Sequence, residues 1–90
     1  MAIHFDTHGY NWKKVLREQD RFIALVTPTW HRDPHTQRQY AYAREIGKPI
    51  YLLIQAGVAL PAHADEYIWH VFSSPEECAA LIEQIVEGTL

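Results

Sequence analysis

Two unbroken apolar runs constrain this chain more than any other feature. Phe22 to Val26 in "RFIALVT" and Ile50 to Ile54 in "PIYLLIQ" are both of strand length, and neither alternates as a strand wet on one side would. Strands of this kind belong in a parallel sheet covered by helices on both faces. The stretch between the runs holds a loop, "PTWHRDPH", and one helix-length segment, which is what a right-handed crossover between parallel neighbours requires. That helix is predicted from about Thr36 to Ile46, stopped by Gly47 with Pro49 just beyond, and its inward stripe reads Ile46, Ala43, Tyr42 and Gln39.

The remaining elements follow from period and punctuation. "GYNWKKVLREQD" spaces Trp12, Val15, Leu16 and Gln19 as one face of a short helix, with Asn11 as its N-cap. "EYIWHVF" reads as a third strand, more exposed than the first two, and a stub of strand is expected near Ile3 to Phe5. In "SSPEECAALIEQIVEG", Ser74 caps, Pro75 takes the first helical position and Glu77 closes a capping box. Cys78, Leu81, Ile82 and Ile85 face inward, and Gly88 ends the helix. The alternation predicts an α/β fold, a small three-layer flavodoxin-like sandwich on a mainly parallel sheet of three to four strands. Ninety residues make one domain, 1–90, with no repeat or internal linker. Exposed edges and a thin core predict a homodimer through an edge strand or an outer helix face.

Charge narrows the partners. Eight Lys and Arg are scattered among eleven acids at a net charge of −3, which argues against nucleic acid. No apolar stretch reaches the length of a membrane span, and the N-terminus lacks a signal-peptide pattern, so no membrane partner and a cytoplasmic address are expected. The single cysteine, Cys78, cannot form an internal disulfide and reads as a small core residue.

In a parallel sheet, ligands gather outside the carboxyl ends of the strands, where the helices begin. The start of the second helix is therefore the expected functional address, with Gln39, a polar member of the inward stripe, pointing to the mouth of the crevice. Trp30, in the loop after the first apolar strand, either stacks on a base or covers the core. Arg32 and Arg38 either pair with phosphate or stay as solvated surface charge. His31 and His35 have the spacing of a metal pair, but Pro34 between them removes the helical geometry, and no metal site is expected. His63 with Asp65 reads as loop polarity, and His8 as part of a surface turn.

The run "DRFIALVTPTWHRDPHTQRQYAYAREIGKPIYLLI" resembles the central part of a Toll/interleukin-1 receptor (TIR) domain, and the helix with its Gly-Lys-Pro exit is similar to that of nucleoside 2-deoxyribosyltransferases. "DTHGYNWKKVLREQ" resembles the preceding loop, with Gly9, and its helix; "DEYIWHVFSSPEECAALIEQI" resembles the last strand and helix. The resemblance implies a TIR-like domain without the family's first strand and the loop after it, where a typical domain would have roughly 150 residues. The family's catalytic glutamate falls on Gln39, which carries no charge and cannot act as a general base. Glu45 lies at the far end of the same helix, about 9 Å along the axis. The resemblance therefore implies no catalytic residue, a ligand site drawn from Gln39, Trp30, Thr27, His35, Tyr42 and Gly9, and NAD or a related nucleotide as the possible ligand. The expected function is binding of a nucleotide-type ligand or of a protein partner, either a second copy or a TIR-like protein. The alternative is an enzyme acting on the glycosyl bond of NAD or a nucleoside, its site completed by a second subunit.

Overall fold

Four strands lie side by side in the computed structural model, which describes residues 3–5 and 12–90. They are β1 (Ile3–Phe5), β2 (Arg21–Val26), β3 (Ile50–Gln55) and β4 (Ile68–Phe72), and the helices are α1 (Trp12–Glu18), α2 (Pro34–Glu45) and α3 (Pro75–Glu87). Single 3-10 turns stand at Trp30–Arg32 and Ala64–Glu66. Every pairing is parallel and the sheet order is β1-β2-β3-β4, with Phe22 beside Ile50 and Tyr51 beside Ile68. The expected three-layer α/β sandwich on a parallel sheet is the fold observed, and the stub near the N-terminus is its first strand.

Because each crossover steps the same way across the sheet and crossovers are right-handed, α1 and α2 share one face. That layer joins Leu16, Ala43 and Tyr40 to Phe22, Ala24, Val26, Leu52 and Ile54. On the other face Ile85 of α3 packs with Ile23, Tyr51 and Leu53, flanked by Cys78, Leu81 and Ile82. Consecutive residues of β2 and β3 thus point into different layers and both are buried, so the two runs are apolar without alternation. Each fully buried Leu or Ile contributes roughly 1.5–3 kcal/mol.

Two helices are set differently from the sequence pattern. α2 begins at Pro34, where Asp33 is the N-cap and its Oδ1 accepts the His35 N–H at 2.9 Å. Its buried stripe is Thr36, Gln39, Tyr40 and Ala43, which leaves Ile46 exposed and Tyr42 half-buried. In α1 only Leu16 is buried; Val15 is exposed, and Asn11, the expected cap, lies outside the described residues. Seven residues make barely two turns, too few to hide a full stripe. α3 matches its pattern: Ser74 Oγ accepts the Glu77 N–H at 3.2 Å, and the Glu77 carboxylate accepts the Ser73 N–H at 3.0 Å.

The Gly-Lys-Pro exit of α2 does three things. Gly47 takes a left-handed φ of 71°, which lets Lys48 N–H reach Ala43 O at 2.9 Å and Gly47 N–H reach Arg44 O at 3.2 Å, a Schellman closure. The Lys48 ammonium then donates to Arg17 O at 3.1 Å and to Gln19 O, filling the open carbonyls after α1. Pro49 O accepts the Phe22 N–H at 2.9 Å and starts the β2–β3 ladder. Replacing Lys48 by Met keeps the stem and removes the charge-assisted bonds, so Lys48→Met is expected to lose about 1–2 kcal/mol in urea unfolding.

Candidate functional site at the carboxyl edge of the sheet

Thr27, Gln55 and Phe72 mark the carboxyl ends of β2, β3 and β4, and they open onto the first turns of α3. With Ser73, Ser74, Pro75, Cys78, Ala79 and Ile82 they line a cavity of about 480 Å3, within the usual range for a small-molecule site. It lies on the α3 face. Among the described residues α3 is the one helix packed there, and it leaves part of the sheet's edge open.

The walls are the Phe72 ring, Pro75, Ala79 and Ile82; the polar groups are Thr27, Gln55 and the two serines. The Thr27 hydroxyl lies 3.4 Å from that of Thr29. Cys78 is the lone titratable residue in the lining, and partial burial pushes its thiol up, away from the reactive thiolate. The start of α3 is a poor anion seat, since Pro75 has no N–H, Ser74 already accepts the Glu77 N–H, and Glu76 and Glu77 stand in its first turn. The cavity therefore suits an uncharged, partly apolar ligand with hydrogen-bonding edges.

The residues expected from sequence to form a site are not brought together. Thr27 alone lines this cavity. Trp30 is only 2% exposed and packs edge-on against Tyr40 at 5.3 Å, so it covers the core rather than offering a face to a base. Gln39 is 0% exposed on the sheet-facing stripe of α2, inside the fold rather than at an open cleft. His35 and Tyr42 both lie against Trp12, at 5.9 and 5.6 Å. Tyr42 also borders a groove of about 170 Å3 between α1 and α2, where Arg38 stands. Gly9 and His8 lie outside the described residues. His31 contacts Ala59 O at 2.7 Å and His63 pairs with Glu66 at 2.7 Å; among the described residues no three His, Cys, Asp or Glu converge.

The physical reason is topological. A crevice at a switch point needs strand order to reverse, and the order β1-β2-β3-β4 does not. The opening lies instead where helical cover runs out. Gln55, Phe72 and Ser73 had a sequence signal, since each ends or follows an apolar strand in a parallel pattern; the α3 side of that edge was not singled out because "SSPEE" reads so well as a cap.

The loop between β3 and β4 is pinned on the opposite face by Tyr40, whose hydroxyl donates to Ala62 O at 2.6 Å. Burial, together with the nearby Tyr67, pushes the Tyr40 phenol up to about 12 from its ordinary 10.0. The stabilisation this represents is whole below the unfolded value and is lost as pH rises through the folded one. Tyr40→Phe is expected to cost about 1 kcal/mol at pH 7 and to flatten the decline above about pH 10 in urea unfolding run against pH. Gln39→Glu is expected to cost on the order of 3 kcal/mol at neutral pH, because the buried acid must stay protonated while the unfolded one ionises. That loss grows as pH climbs past about 4.3, where the unfolded carboxyl ionises while the folded one stays protonated.

No family model, curated protein or solved structure matches the chain. Among the described residues no helix is long and apolar enough to cross a membrane.

Proposed function

We propose that the chain is a reduced TIR-like module that binds a nucleotide-type ligand through its base or nicotinamide ring, without turning it over. The observation that carries this reading is the cavity at the carboxyl ends of β2, β3 and β4, which has apolar walls, neutral polar groups and no carboxylate in its lining. A ring with amide or ring-nitrogen edges fits such a lining. Phosphates do not, and they would extend away from α3 into solvent.

The absence of turnover rests on Gln39. A glycosyl-bond enzyme needs a carboxylate that touches the ribose as charge develops, and the position that the resemblance assigns to it carries a fully buried amide. Neither charge nor access is present at that point. Glu77, in the first turn of α3 beside the cavity, has its carboxylate held by the Ser73 N–H.

Incubation with NAD and with deoxynucleosides is expected to release neither nicotinamide nor free base, while one of these ligands raises the melting temperature. Ala79 lies on the exposed wall of the cavity, so Ala79→Trp fills it and is expected to abolish the shift without unfolding the protein. Release of nicotinamide or base that disappears in Gln39→Ala would overturn the noncatalytic reading. A shift that survives Ala79→Trp would overturn the cavity as the site.

A further inference from the structure

Among the described residues β4 is the last strand of the sheet and has no neighbour on its outer side. Its sequence, "IWHVF", contains no Lys, Glu, Asp, Pro or Gly, the residues with which monomeric proteins usually blunt an open edge. Ile68, Trp69 and Val71 are 44%, 41% and 50% exposed within this one short strand. By register Trp69 and Val71 lie beside Leu52 and Ile54 on the α1/α2 face, where the crossover from β3 to β4 brings a loop and a 3-10 turn instead of a helix.

We infer that β4 pairs with β4 of a second copy of this chain, antiparallel and centred on His70, to give one continuous sheet across the dimer. The backbone fixes the register. Phe72 O accepts the Ala56 N–H at 2.9 Å, so the backbone groups of Phe72, and by the strand period those of His70 and Ile68, turn toward β3. Those of Trp69 and Val71 turn outward. A twofold axis at His70 sets Trp69 opposite the partner's Val71, and each such pair exchanges both of its N–H···O bonds. His70 meets the partner's His70 as the non-bonded pair between them. This register keeps all of Ile68–Phe72 paired, whereas a shift to either neighbouring allowed register leaves strand residues unpaired.

The side chains fit the same operator. On the α1/α2 face, Trp69 and Val71 of the two chains form one apolar cluster of aromatic on β-branched pairs, a favourable cross-strand combination. On the α3 face, Ile68 meets the partner's Phe72. Apart from the His70 pair, the strand itself sets no ionisable side chains in opposition. The flanks do, because Asp65 and Glu66 precede β4 and Glu76 and Glu77 follow it, and the antiparallel arrangement sets one flank beside the other. Salt screens that repulsion and tightens the dimer. Five residues a side are few beside the about 20–30 of a standard interface, so the equilibrium depends on concentration.

Sedimentation equilibrium on the full chain tests this, independently of any ligand. The expected result is a monomer–dimer equilibrium that tightens from low to high salt and weakens at least tenfold in Val71→Lys, with Val86→Lys, at an exposed position on α3, unchanged. Far-ultraviolet circular dichroism confirms that both variants fold. In a Cys78→Ser background, His70→Cys is expected to oxidise readily to a disulfide dimer, because a non-bonded antiparallel pair sets its Cα atoms about 4.5 Å apart, within disulfide reach. Val86→Cys is expected not to. A monomer at every concentration, a dimer indifferent to Val71→Lys, or no preference for the disulfide at position 70 would each overturn the proposal. His70, Val71 and Val86 do not line the carboxyl-edge cavity, so these outcomes leave the ligand proposal to its own test.

Discussion

The fold depends on burying both faces of β2 and β3. A parallel strand wet on either face would have to alternate, and neither does; Phe22, Ile23, Ala24, Leu52 and Leu53 have no exposed surface. Two layers of cover are therefore obligatory, and a chain this short can supply them only with helices that serve as crossovers or as a terminal cap. α1 and α2 are the crossovers on one face, and α3 is the cap on the other. The accessible edges follow from that allocation, since α3 does not span the sheet and the last crossover contains no α-helix.

The amino edge of the sheet is tied by basic side chains at helix ends. Lys48 serves the carbonyls that close α1, and Arg21 Nη1 donates to Ile85 O of α3 at 2.6 Å while its guanidinium lies over Tyr51 at 5.5 Å. Each placement sets a positive group against the negative end of a helix, beside the first residues of the strands. The lysine of the Gly-Lys-Pro turn is thus accounted for by local folding, through contacts to residues far away in sequence that periodicity cannot reveal. Among the described residues the carboxyl edge shows no basic side chain set against a helix end in this way.

The elements themselves were legible in the sequence: the two buried strands, the exposed fourth strand and α3 with both its caps all stand where period and punctuation placed them. The rotation of α2 was harder. Counting its stripe back from Ile46 included Tyr42, whereas the helix turns Thr36 and Tyr40 inward, because the Tyr40 hydroxyl finds Ala62 O and Thr36 Oγ1 donates to Trp30 O at 2.8 Å. Polar bonds decided a choice that hydrophobicity left open. The site was less legible still. Only Thr27 of the expected set reaches the cavity, because a parallel pattern locates an edge but not which of its two faces is left uncovered.

That distinction bears on what a small parallel sheet can do. With strand order running in one direction, no pair of diverging crossovers opens a crevice, and the helix start that would hold phosphate in a switch-point fold is sealed at Asp33 by its own cap. The opening that remains lies on the side where one helix must cover four strands. A cavity formed in this way takes its walls from the underside of a helix and from strand ends, so it is apolar and neutral. The polar groups such a lining offers are those of Thr27, Gln55 and the two serines, with no charged side chain among them. The same shortage of cover leaves β4 open at the sheet's margin. The proposed ligand site and the proposed association edge are thus two consequences of one deficit, and they meet at Phe72.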